Sequence, residues 1–376
     1  MRDGGLRIAA LIDGLGWGGA EALLVDFALG ARAIGVEVVV GYLEDKDGSP
    51  MAARLRAHGV PVELLGVDRM LQRDAVGRVR RWLRAVGPDV LHTHLGYSDL
   101  LGVLAARPLG VPAVCTIHVM SSRDRGAGRD GVKSALFALA RRRGTARVVA
   151  VSDQARAAYL AAGRDRPSHV VTVHNGVVDD VSAGAGRRVR AELGIDAGDV
   201  VLLQLAVLRA GKGHDEAVAA VASLARAGRP VRLLVAGDGP ERARIGALAA
   251  AAGPCVDVLG HRDDVAALLD AADVLVHPTA ADAFPTALLE AARAAVPVVA
   301  TAVGGVPEIV RDGVTGLLLP APVDEEDLGA ALRALVDDPE RRAGMGAAAR
   351  RVYEEEFTAQ RWAERLRSVY EDALRH

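Results

Sequence analysis

Aromatic side chains make up only 3% of the 376 residues, and they are not interleaved with basic ones. The chain therefore carries no recognisable nucleic-acid module, and no nucleic-acid partner is expected. The two cysteines, Cys115 and Cys255, fall in different halves and form neither a disulfide framework nor a metal-ligand pattern, which suits a reducing cytosol. No uninterrupted apolar segment is long enough to cross a bilayer. The early apolar run Ile8–Ile12 is cut by Asp13 and does not read as a secretory signal. A cytoplasmic location is expected, with peripheral contact at the inner membrane face as the less favoured alternative. Lysine is sparse beside alanine and arginine, which reads as genome composition rather than function.

The length exceeds that of a usual single domain, so two domains of about 180 residues each are the natural division. A hydrophobic content of 51% suffices for two cores, and the net charge of −2 hides a gradient. Residues 1–175 carry 24 Lys and Arg against 17 Asp and Glu, whereas the remainder carries 22 against 31. The first half could favour an anionic partner, although an arginine-rich solvated surface is the plainer reading.

The stretch Asp273–Pro320 organises the second half. Val274–His277 and Pro297–Thr301 read as parallel strands buried on both faces. Between them Pro285–Ala295 has helical spacing, with Pro285 suited to the first turn. The helix N-terminus then points beyond the carboxyl end of a strand, where its amide groups attract phosphate. Asp282 at the helix mouth and Glu290 within it suit a ligand with phosphates and several hydroxyls.

Elsewhere strand and helix alternate. Strands are expected at Leu6–Ile12, Val36–Val40, Val60–Leu64, Val90–His94, Val111–His118, Val148–Ser152 and Val170–His174, with helices at 51–58, 68–86 and 98–107. Asp179–Gly198 reads as a loop-like domain junction. The rhythm restarts with strands Val200–Ala206, Val231–Ala236 and Cys255–Leu259, helices 214–227, 241–252 and 263–271, and a helical tail from about residue 324. This predicts an α/β protein of two doubly wound parallel sheets, whose ligand crevices lie in a cleft between facing domains.

Candidate chemistry falls in the turns. Gly14–Gly19 matches a GxGxxG loop, but the acidic residue that should end the second strand falls near Gly41, with Glu44 a loose substitute. A phosphate cradle and a simple tight turn both fit. His92, His94 and His118 cluster at carboxyl ends of strands. A metal site is not expected, because no nearby acid or cysteine completes the set; a functional His118 is. Lys212, in a glycine-flanked turn after a strand, suits a diphosphate. The basic helix 68–86 (Arg69, Arg73, Arg78, Arg80, Arg81, Arg84) has Val76, Val79, Leu83 and Val86 on one face, read as packing on its sheet rather than on a membrane.

The ordered set Gly18-Gly-Ala-Glu21, His92-Thr-His94, Thr116-Ile-His118, Asn175-Gly-Val177, Lys212-Gly-His214, Gly237-Asp-Gly-Pro240, Gly260-His-Arg-Asp-Asp-Val265, Asp282…Glu290 and Gly304-Gly-Val-Pro-Glu308 resembles glycosyltransferase family 4, retaining enzymes of the GT-B fold that use nucleotide-activated sugars. The resemblance spans nearly the whole chain. It implies a donor domain at 179–357, an acceptor domain at 1–178, and a C-terminal helix at 358–376 crossing back to the first domain. It also implies a nucleotide-sugar donor as co-substrate, a hydroxyl acceptor, and no cofactor or metal.

By the same resemblance, Gly18 and Gly19 line the donor diphosphate and Lys212 neutralises it. His118 contacts the transferring sugar, with His94 and Trp17 near the acceptor. Asp282 and the backbone of Ala283, Phe284 and Pro285 hold sugar hydroxyls, and Thr286 belongs to the same donor site; Glu290 holds the ribose, and Arg262 to Val265 lie near the base. Two positions depart from the family. Val207 stands where an arginine is usual, leaving Arg209 as the candidate replacement. Asp282 stands for the first glutamate of the Glu-x7-Glu pair, followed by Ala283 instead of glycine. A sugar-nucleotide epimerase of the same architecture and an NAD-dependent dehydrogenase are the alternatives.

Overall fold

The computed structural model describes residues 5–46, 48–67, 72–118, 129–180 and 184–375, without the side chains of 129–133. The chain divides into two compact units, Met1–Val178 with Phe357–His376, and Asp179–Glu356.

The first unit holds a parallel sheet of seven strands: β1 Arg7–Gly14, β2 Glu37–Glu44, β3 Val62–Leu64, β4 Val90–His94, β5 Ala113–Ile117, β6 Arg147–Ala150 and β7 Val170–Thr172. Their order is β3-β2-β1-β4-β5-β6-β7. Helices α1 Gly19–Ala33, α2 Pro50–Ala57, α3 Ala75–Val86, α4 Gly96–Ala106, α5 Arg129–Gly144 and α6 Asp153–Ala161 join them. The central strands are buried throughout except at Arg7, as parallel strands covered on both faces must be.

The second unit repeats the plan in β8 Val200–Leu205, β9 Val231–Ala236, β10 Val256–Gly260, β11 Val274–His277, β12 Val298–Thr301 and β13 Gly316–Leu319, in the order β10-β9-β8-β11-β12-β13. Its helices are α7 Gly186–Glu192, α8 His214–Arg226, α9 Arg242–Ala252, α10 Val265–Ala271, α11 Thr286–Arg293, α12 Val306–Ile309, α13 Glu325–Val336 and α14 Pro339–Val352. The final helix, α15 Ala359–Ala373, belongs to the first unit and packs on α1. There Trp362 meets Phe27 with ring centroids 5.5 Å apart, and Gly30 allows the Ala359 carbonyl to approach so closely that any Cβ would overlap it.

Four readings of the sequence need correction. The helix read at 68–86 begins at Ala75, with residues 68–71 outside those described; Val79 and Leu83 do face the core. The junction contains a helix, α7, anchored by Arg190 to Asp273 at 2.7 Å. Pro285 caps α11 rather than starting it. Strand β2 runs on to Glu44, because Gly41 accommodates the Trp82 indole against its backbone. Glu44 therefore does end the second strand.

Candidate active site

In a doubly wound sheet, ligands bind beyond the carboxyl ends of the strands where the order reverses. In the second unit that point lies between β8 and β11. The turn after β8 places Lys212 between Gly211 and Gly213, both left-handed (φ 81° and 71°). Gly213 is required twice over, since a Cβ would sit 2.1 Å from the Pro278 carbonyl oxygen. The turn is tied to β11 by Ala280 N–H donating to the Gly211 carbonyl at 2.8 Å, and Gln204 Nε2 donates to the Lys212 carbonyl at 2.9 Å.

This scaffold aims Lys212 Nζ at Asp282, 2.7 Å away, with the two side chains only 11% and 21% exposed. His277 Nε2 stands 3.7 Å from the same carboxylate, a long but direct contact. Burial pushes the Asp282 carboxyl up, but His277 and the Lys212 ammonium outweigh it and hold the group at about 2. Next to the pair, Ala283, Phe284 and Pro285 are buried, and Thr286 opens α11 with Glu290 half-buried one turn on. The Gly305 N–H donates to the Ala283 carbonyl at 3.1 Å, fixing this loop against the start of α12.

Arg209 is exposed, and among the described residues its guanidinium has no partner. It lines a cavity of about 360 Å³ with Gly211, Gly213, Thr279, Thr301 and Val323. Neither Lys212, Asp282 nor Glu290 lines that cavity. Val207 is 53% exposed and offers no charge. Arg262, expected near a base, is committed at 2.8 Å to Asp264 and Glu192, which pins the turn before α10, where Val265 is the first helical residue, to α7.

In the first unit the order reverses between β1 and β4. Register places His94 beside Ile12 on one side and Thr116 on the other. His92 is wholly occupied: Nδ1 meets the Tyr370 hydroxyl at 2.6 Å and Nε2 the Thr116 hydroxyl at 2.7 Å. His94 is 2% exposed and its Nδ1 lies 3.0 Å from His118 Nε2, so its ring backs His118 instead of presenting itself to an acceptor. Burial disfavours the imidazolium form and pulls His92 down to about 3 and His118 to about 4, so both are neutral at pH 7. Among the described residues no group of three His, Cys, Asp or Glu could hold a metal ion.

The glycine-rich loop is partly filled by its own neighbours. Gly18 is the N-cap of α1 and Gly19 its first residue, while the Glu21 carboxylate folds so close to Gly18 that a Cβ there would overlap it. The Lys46 stem lies against Gly14 in the same way, with its ammonium 3.2 Å from Glu44. The acid that a dinucleotide ribose would need is thus already paired. Trp17, in the same loop, is 49% exposed.

Comparison with known proteins now bears on this arrangement. Residues 17–181 match the model described as Glycosyltransferase Family 4, and residues 187–352 that described as Glycosyl transferases group 1. A D-inositol 3-phosphate glycosyltransferase of Arthrobacter is 34% identical over 304 residues, 75% of this chain and 68% of that protein. The chain belongs to glycosyltransferase family 4. A 2-deoxystreptamine glucosyltransferase of Streptomyces kanamyceticus is 32% identical, across 70% of this chain and 73% of that one. HepE of Anabaena, solved with UDP-glucose, superposes with a TM-score of 0.84 at 22% identity, across 97% of this chain and 99% of that one. The fold is GT-B, and the protein is a glycosyltransferase.

The residues that sequence reasoning passed over are His277, Lys46 and Asp13. Only Asp13 left a trace, as a charge closing an apolar strand. The others show their roles only through contacts made by folding.

Proposed function

We propose that this glycosyltransferase is a retaining, metal-independent enzyme that moves a hexose from a UDP-sugar, in preference to a GDP-sugar, to a hydroxyl acceptor. The observation that carries the reading is the Lys212–Asp282 pair at the carboxyl ends of the switch strands. A cation and a hydroxyl-binding carboxylate there match a diphosphate joined to a sugar. Lys212, with Arg209, neutralises the diphosphate, and Gly18 and Gly19 contribute backbone. Asp282, the backbone of Ala283 to Pro285, and Thr286 hold the sugar hydroxyls; Glu290 takes the ribose, and the Arg262–Val265 turn lies by the base. The UDP-glucose bound to HepE supports the choice of uridine.

In the transfer step the bond from the anomeric carbon to the phosphate oxygen breaks. The bond to the acceptor oxygen forms on the same face, and the acceptor's proton passes to the departing phosphate oxygen. Lys212 and helix N-termini stabilise the charge that develops there. His118, neutral at pH 7, acts on the transferring sugar, with His94 behind it and Trp17 toward the acceptor. The acceptor is a small natural product or a lipid or polysaccharide precursor, met in the cytoplasm or at the inner membrane face; the curated relatives named above support a polyhydroxylated small molecule.

Thermal unfolding with UDP, GDP, their sugars and NAD tests the reading. A ligand at about a hundred times its dissociation constant adds roughly 2.7 kcal/mol to the folded state. A response to uridine nucleotides is expected, and a response to NAD alone would overturn the assignment. His118→Ala should lose transfer while keeping UDP binding.

A further inference from the structure

The end of β4 has a backbone conformation that its sequence does not favour. Leu95, between His94 and α4, has φ 77° and ψ 170°, a region open to glycine but strained for a residue with a Cβ. Such a conformation persists only where the surroundings enforce it. The enforcing group is Asp13, at the carboxyl end of β1 and 8% exposed. Its Oδ1 accepts from the Ser98 N–H at 2.7 Å and the Ser98 hydroxyl at 2.8 Å, and its Oδ2 faces the Tyr97 N–H at 3.4 Å. The same hydroxyl, with one proton to share between two acceptors, also lies against the His94 carbonyl. Asp13 thus clamps the first turn of α4 and, through Ser98, the residue that precedes the strain.

His94 in turn bears on His118 through their 3.0 Å ring contact, and its Nε2 has no partner among the described residues. The ring is therefore oriented by its backbone, by His118 and by the His92 ring, whose centroid lies 4.3 Å away. We propose that Asp13 is a positioning residue for sugar transfer, holding the His94–Leu95 step so that His118 is fixed for the reaction. The inference rests on the role given to His118 above. Burial raises the Asp13 carboxyl to about 6, in keeping with a group that works by accepting hydrogen bonds in an enclosed place.

The test compares Asp13→Ala with Asp13→Asn, which keeps an oxygen where Oδ1 lies. The readouts are UDP release from UDP-glucose, UDP affinity, and the imidazole ¹⁵N shifts of His94 and His118. A small misplacement near the reacting atoms costs on the order of 100-fold in rate. Asp13→Ala should fall by about that factor in kcat with UDP affinity unchanged, and Asp13→Asn should recover most of it. Leu95→Gly in the Asp13→Ala background should restore part of the rate, since glycine adopts this conformation without a clamp. Should Asp13→Ala fail to fold, Ser98→Ala, which removes only the hydroxyl contacts, should move the His118 shifts and kcat in the same direction.

A wild-type rate in Asp13→Ala would overturn the proposal, as would an Asn variant as impaired as the alanine one. So would His118 shifts unmoved by loss of the clamp, a result that needs no turnover at all. Absence of any nucleotide-sugar response in the wild type would instead count against the proposed function.

Discussion

Replacing Lys212 by methionine removes one charge and almost no volume, and the structure sets what should follow. Asp282 is held at about 2 against an ordinary 3.8. At 1.36 kcal/mol per pH unit that gap is worth roughly 2–2.5 kcal/mol. His277 and Lys212 produce that gap together against the opposing effect of burial, so losing Lys212 alone should cost on the order of 1–2 kcal/mol. Because the carboxyl is depressed in the folded state, this stability is present above pH 3.8 and is lost as pH falls toward 2. Lys212→Met should therefore be less stable by that amount at pH 7, a drop of about 2–8 °C in melting temperature for a unit of this size. The difference should close on acidification below pH 4. Carboxyl ¹³C titration should find Asp282 above its wild-type value, since burial is then less opposed. Loss of a charge-assisted bond to the diphosphate, roughly 1.5–3 kcal/mol, should weaken UDP by about 10- to 150-fold. A variant with unchanged stability and unchanged UDP affinity would refute both the ion pair's weight and its place in the donor site.

Glu290→Ala should weaken UDP by a similar 1.5–3 kcal/mol, roughly, measured by calorimetry; an affinity within experimental error of wild type would remove the ribose contact. The His118 ring, held near 4 against 6.5, binds fewer protons folded than unfolded, so its stability contribution is present above pH 6.5 and is lost as pH falls toward 4. Asp13, raised to about 6, works in the opposite sense, so the comparison to make is wild type against His118→Asn. The variant should lose less stability in urea between pH 7 and pH 5, and equal losses would contradict the half-buried, neutral ring. Gly30→Ala should cost about 1–3 kcal/mol, because its Cβ would lie 2.2 Å from the Ala359 carbonyl oxygen, and both elements are helix backbone. An unaltered melting temperature would mean that α15 docks less tightly than described.

Much of the fold follows from local pattern. Runs such as Val200–Leu205 and Val274–His277 are apolar at every position or nearly so, and only a parallel strand covered on both faces uses such a run at that length. Elements that depend on distant partners escaped that logic. The α7 sequence, GRRVRAE, has too little apolar periodicity to announce a helix. It is helical because Gly186 packs against the backbone at Asp270 and Arg190 reaches Asp273. Likewise Gly41 would end a strand on propensity alone, yet β2 continues through it beneath Trp82.

The site divides along the same line. By itself the sequence determined which residue types stand in turns after strands: a lysine between glycines, a carboxylate ahead of a helix, histidines at strand ends, and in their order the glycosyltransferase family. Tertiary structure alone decided what those groups do to one another. Lys212 finds Asp282 across 70 residues, and Ser98 finds Asp13 across 85. His92 turns out to be a satisfied core residue, while His94 turns its ring to His118. Charge state, burial and strain are properties of such encounters. Periodicity and spacing describe a chain with its neighbours in sequence, and they hold no record of which distant side chain will desolvate a carboxyl or clamp a turn.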